Sequence, residues 1–177
     1  MALSINDFKS QLVSGGARPS LFQVQITNPI TSVADFKTSF MVYSAAIPES
    51  SQSPYEVHYL GRSFKFAGNR TFSDWTVEIY NDEDFSVRNS MESWMNAMNG
   101  HTTNQRVGPK VYKSQAQVIQ LSQAGEPIRE YTFEGLFPSN ISPIQLSMDA
   151  DGIERFSVTF QYDLWRNSGG TTGSSTS

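Results

Sequence analysis

Between Phe72 and Met98 the chain changes its hydrophobic period, and few folds accommodate that change. Trp75, Val77 and Ile79 alternate with Asp74, Thr76 and Glu78, the period of a strand with one face buried. Asn81-Asp82-Glu83-Asp84 follows, with side-chain oxygens and negative charge suited to the free N–H groups of a helix start. Met91, Trp94, Met95 and Met98 then recur at i, i+3, i+4 and i+7, the stripe of an amphipathic helix over about residues 83–98. One strand, one acidic cap and one helix laid on the sheet form the centre of the chain.

The flanking segments are mostly strands. Ser4-Ile-Asn-Asp7 has the form of a capping box and predicts a short helix with Ile5, Phe8 and Leu12 on one side, ended by Gly15-Gly16. Phe22, Val24 and Ile26 alternate with polar residues until Asn28-Pro29. Residues 36–46 are apolar on both parities, which predicts a central strand covered on two faces. Residues 47–54 form a polar, proline-marked loop, and Gly61-Arg62 between two alternating runs predicts a hairpin with a type II′ turn. Further strands are expected at about 111–122, 128–136, 141–148 and 153–165. The sum is mainly β, an antiparallel β-sandwich or barrel with one amphipathic helix. An arm with a short helix (1–19) precedes the sandwich domain (20–166), and a flexible Gly/Ser/Thr-rich tail (167–177) follows it.

Composition narrows the chemistry. The chain has 177 residues, enough for a core that needs no metal or disulfide, and it contains no cysteine, which excludes disulfide and thiolate chemistry. Thirteen basic residues against 17 acidic ones give a net charge of −4, and no basic stripe for binding nucleic-acid phosphates is present. The first residues lack the basic and apolar regions of a secretory signal, and no run reaches the length of a membrane span.

Catalytic patterns are missing. His58 and His101 stand in no ligand cluster, and both read as solvated imidazoles. Asp149-x-Asp151-Gly152 resembles part of a calcium loop, but that register puts Val158 where the bidentate glutamate belongs, so it reads as a turn. Asp82-Glu83-Asp84 reads as a cap rather than a metal or acid–base site. No cofactor, metal site or catalytic residue is expected, and the chain is read as a non-enzyme.

Three blocks carry a resemblance. Residues 17–24 (ARPSLFQV), residues 67–77 (AGNRTFSDWTV) with Asn81-Asp82-Glu83, and residues 135–140 (GLFPSN) followed by Gln145-Leu146 resemble the tail tube proteins of contractile-tailed bacteriophages. The closing segment 153–165 is similar to that family's last strand. The resemblance implies a structural virion protein. Its β-sandwich subunits would form six-membered rings that stack into the inner tube of a contractile tail, a conduit for DNA ejection. It implies as partners further copies of the chain, the tail sheath, tape-measure, baseplate and tail terminator proteins, and genomic DNA that passes without specific binding. Assembly would occur in the host bacterial cytoplasm. Segments 28–35 and 167–177 look longer than in the family's shorter members.

On this reading Glu56 and Glu78 are lumen candidates, on strands from residues 36–46, 55–66 and 72–80 with the helix outside. Pro48, Glu49, Pro54, Arg18 and Arg70 are interface candidates in the loop, hairpin and arm that would join successive rings. The tube of a phage-tail-like bacteriocin, extracellular injection or type VI secretion system is the alternative. Outside this class stand a carbohydrate-binding module and a lipocalin-like ligand barrel.

Overall fold

A computed structural model describes residues 4–12, 16–149 and 151–169. Among the described residues nine strands carry the fold: β1 (Phe22–Ile26), β2 (Val42–Ala45), β3 (Ser51–Tyr59), β4 (Arg62–Thr71), β5 (Trp75–Tyr80), β6 (Ser114–Leu121), β7 (Pro127–Ile141), β8 (Arg155–Gln161) and β9 (Leu164–Gly169). Four α-helices accompany them: α1 (Ile5–Gln11), α2 (Asp35–Met41), α3 (Ser86–Met98) and α4 (Pro109–Tyr112), with a 3-10 turn at Ser32–Ala34. All the strand pairings are antiparallel.

The 15-residue strand β7 organises the sandwich by belonging to two sheets. Its first part pairs with β6 on one side and β9 on the other, and β1 extends this sheet beyond β6. Its last part, residues 137–141, pairs with β8, which continues through β5 to β2. Gln161 faces Phe137 and Leu164 faces Glu134, the same step of three on both strands, so β8 and β9 follow one edge of β7. The two long strands bend together. In β7 the bend falls at Gly135, an extra residue at φ 70° between the partners of Ser114 and Gln115. In the opposing strand it falls at Tyr162-Asp163.

The inner faces of the two sheets meet as the alternation predicts. Trp75, Val77 and Ile79 of β5 and Phe156, Val158 and Phe160 of β8 are buried against Val24, Ile26, Val118 and Phe133 of the other sheet. Trp75 stacks on Phe133 at 4.4 Å, and its indole N–H donates to the Ala46 carbonyl at 2.8 Å, so the polar edge of this large side chain is satisfied. Helix α3 adds Val87, Met91 and Trp94 to the same core, and Trp94 donates to the Tyr112 carbonyl at 2.8 Å. The predicted stripe is displaced by part of a turn: Val87 and Ser90 are buried, whereas Met95 and Met98 are only half-buried.

Several expectations are corrected. Residues 36–46 are not one central strand; Asp35–Met41 is helical, and only Val42–Ala45 pairs, at a sheet edge. The reason is the i, i+4 relation of Phe36 and Phe40, whose rings meet edge-on at 4.9 Å on the exposed side while Thr38 is buried. The hairpin turn is Leu60-Gly61, with φ 48° and 74° and Tyr59 facing Arg62. Positive φ at both central residues makes it type I′ rather than II′. Residues 51–54 belong to β3 rather than to a loop, and 109–112 form a helical turn before β6. Residues 137–141 continue β7 instead of turning, and residues 142–148 form no strand. Ser168 and Gly169 pair in β9, so the expected flexible tail starts inside a strand; residues 170–177, Gly15 and Ala150 lie outside the described residues.

Candidate assembly surfaces

The β2–β5–β8–β7 sheet exposes one face built from polar residues. Opposite residues of an antiparallel pair share a face, so Thr76 with Thr159 and Glu78 with Ser157 lie together, and Ser44 joins Glu78. Side chains link across the strands. Ser44 Oγ donates to Glu78 Oε2 at 3.1 Å, the Thr76 and Thr159 hydroxyls are 3.3 Å apart, and Gln161 Nε2 donates to Asp74 Oδ1 at 2.6 Å. At one end Arg155 lies 4.6 Å over the Tyr43 ring, which meets Tyr80 edge-on. The face is mostly hydroxyl and amide with isolated carboxylates, and one guanidinium and two tyrosine rings stand at its Tyr80 end.

Both lateral edges of this sheet are open among the described residues. β2 pairs only with β5, and residues 137–141 have β8 on one side and no ladder partner on the other, because β6 stops opposite Leu136. Open edges are templates for pairing with another chain.

The hairpin β3–β4 forms a separate two-stranded sheet. Tyr55 stacks with Phe66 across it, and Val57 faces Phe64, giving one apolar face that is exposed throughout. The other face carries Glu56, paired with Lys65 at 3.5 Å. The two lumen candidates are therefore on different sheets: Glu78 lies on the polar sheet face and Glu56 on the hairpin.

The interface candidates divide between the two ends of β5. At its Trp75 end, Glu49 accepts from Ser73 at 2.5 Å through its carboxylate and from the Trp165 indole at 3.2 Å through its carbonyl. Pro48 is half-buried beside it, and Pro54 and Arg70 sit at the hairpin base, facing Ala67 and Gln52. Arg18 belongs to the other end; its carbonyl accepts from Gln120, near the groove where Phe22 and Leu121 approach Val42 and Tyr80.

The expected acidic cap is corrected: α3 starts at Ser86, its N-cap is Phe85 at φ 51° with no side-chain cap hydrogen bond, and Asp84, one residue earlier, accepts the Ser86 N–H at 3.0 Å through Oδ1. Lys37 of α2 binds both Asp82 (2.7 Å) and Asp84 (2.5 Å). The ammonium holds Asp84 down to about 2, helped by the Ser86 N–H, and holds Asp82 low as well. Asp35 is raised by burial, against the opposing Asn28 N–H. Buried Asn28 donates to the Ser90 carbonyl and hydroxyl at 2.9 Å and accepts from Ile30 and Thr31, fixing segment 28–35 to α3. Sequence reading missed this anchor; a lone asparagine before proline reads as a turn, and nothing local marks its partner 62 residues away.

Residues 17–168 match the sequence model of the phage tail tube protein family. The chain belongs to the phage tail tube protein family. Among curated relatives, tail tube protein gp19 of Enterobacteria phage T4 is 32% identical, over 91% of this chain and 98% of that protein. The tail tube protein of Serratia phage KSP90 is 25% identical, over 90% and 94%. The fold also resembles solved structures. A chain in the cap of the anti-feeding prophage aligns with a TM-score of 0.68 at 18% identity, covering 89% of this chain and 94% of that one. A chain in the sheath-tube complex of an extracellular contractile injection system aligns at 0.60 and 15%, over 95% and 99%. The fold expected from the three sequence blocks is thus the tail tube fold, and the family is a structural one.

Proposed function

We propose that this tail tube protein builds the inner tube of a contractile phage tail by joining its polar-faced sheet edge to edge, β2 of one copy against residues 137–141 of the next, into closed six-membered rings. The observation that carries this reading is the four-stranded sheet itself, with one face in the core, one face of linked hydroxyl, amide and carboxylate groups, and both lateral edges open. Lateral closure removes the edges, and a head-to-tail contact between rings propagates axially. The polar face lines the channel, with Glu78, Asp74 and Thr76 inward. Hydroxyl, amide and carboxylate groups fill most of this lining and Arg155 is the cation at its Tyr80 end, so passing DNA meets little counter-charge to bind.

The hairpin, with Pro48, Glu49, Pro54 and Arg70 at its base, and Arg18 at the opposite end supply the axial contacts. Sheath protein covers the tube, tape-measure protein fills it during assembly, and baseplate and terminator proteins bound its ends. Negative-stain electron microscopy over a concentration series, with purified baseplates as nuclei, tests the proposal. Rings or hollow tubes are expected; a chain that stays monomeric and fails to extend baseplates contradicts it.

A further inference from the structure

At the Tyr80 end of β5 lies an open cleft of about 580 Å³, lined among others by the apolar side chains of Met41, Phe85 and Ile153 and by the acidic side chains of Glu83 and Glu154. Asn81, only 6% exposed, also lines it; its Nδ2 donates to Glu154 at 3.0 Å, and its Oδ1 has no hydrogen-bond partner among the described residues. This buried carbonyl oxygen is a vacant acceptor in the wall of the cleft.

The hairpin tip has the complementary chemistry. Leu60 is 86% exposed at φ 48°, a conformation a leucine adopts at a cost, and Arg62 beside it makes no ion pair among the described residues. The hairpin carries three basic residues (Arg62, Lys65, Arg70) against one acidic residue, Glu56. It leaves the chain just before Trp75, whereas the cleft is built by the residues just after Tyr80 and before Arg155. The base of the hairpin and the cleft thus lie toward opposite ends of one strand, and the hairpin forms its own sheet apart from the sandwich.

We infer that the Leu60-Gly61-Arg62 tip of one copy seats in this cleft of the next copy along the tube, Leu60 against Met41, Phe85 and Ile153, and Arg62 against Glu83 and Glu154. The inference rests on the axial stacking proposed above and names its contact. A donor at one end and its acceptor at the other form a heterologous joint that repeats without closing, as a filament requires. Charge complementarity with Glu83 and Glu154 sets the register, and the apolar lining supplies the burial.

The cysteine-free chain permits a direct test. Leu60→Cys and Ile153→Cys, both at exposed positions, are combined in one chain, assembled into tubes and oxidised. Non-reducing gels should show a ladder beyond dimers, and each single variant should show none. Tubes visible by microscopy whose chains remain monomeric on the gel overturn the inference. Wild-type protein that forms no tubes on baseplates contradicts the stacking proposal instead. In a second arm, Arg62→Glu should raise the concentration needed for tube growth about tenfold, and Glu83→Arg in the same chain should restore it. Arg62→Glu growing at the wild-type concentration, or no recovery on adding Glu83→Arg, also overturns it.

Discussion

Gly135 and Asp163 occupy one corner of the fold so closely that a Cβ on the glycine would collide with the aspartate carboxyl. Asp163 is fixed there by its own N–H, which donates to the Glu134 carbonyl at 3.0 Å, and by Lys113, whose ammonium contacts both carboxylate oxygens. This is where both long strands turn from one sheet into the other. Gly135→Ala should therefore cost ~2–3 kcal/mol, from the strained φ and the clash together, measured as a lower urea midpoint. Asp163→Ala in that background should recover part of the loss by opening the space.

The Trp75–Phe133 stack joins the two sheets. Phe133→Ala leaves a cavity at a fully buried position and should destabilise the subunit by about 3–5 kcal/mol in chemical denaturation. Phe133→Leu should cost less, because it keeps most of the apolar volume.

Lys37 ties α2 to the start of α3 through two carboxylates held below their ordinary value of 3.8. A group with a depressed folded pKa adds stability above its unfolded pKa and loses that contribution as pH falls through the folded one. For Asp84 the window runs from near 3.8 down to about 2. Melting temperatures between pH 5 and pH 2 should fall less steeply in Lys37→Met than in wild type. Equal slopes would show that the pair does not govern the acid limb.

Ser44 on edge strand β2 sits beside Glu78. Tyr43→Pro on the same strand places a residue without an N–H on an edge, where the subunit tolerates it better than in a central strand. The monomer should keep its far-ultraviolet circular dichroism and lose ring formation. Rings from this variant would count against lateral pairing through β2.

The alternations that face the core were legible because a buried face leaves period two in the sequence: β1, β5 and β8 all carried it. Misreadings cluster where apolar residues face outward. Phe36 and Phe40 are exposed on α2, and Tyr55, Val57, Tyr59, Phe64 and Phe66 are exposed on the hairpin. On α2 such residues read as core although the subunit leaves them uncovered, whereas on the hairpin they gave the alternation of two paired strands. That is how residues 36–46 came to look like a strand covered on both faces. The sheet switch in β7 was hidden for another reason: its bend depends on Asp163 packing against Gly135, a tertiary contact with no local periodicity. Glu78 was legible as an outward residue of β5, whereas only tertiary structure separates the hairpin of Glu56 from that sheet.

A cryo-electron microscopy map of the assembled tube, at a resolution that traces strands, tests the central claim most directly. β2 of one copy should pair with residues 137–141 of its neighbour, with Glu78, Thr76 and Thr159 facing the channel. A map in which that sheet face points outward, or in which β2 remains unpaired in the ring, would contradict it.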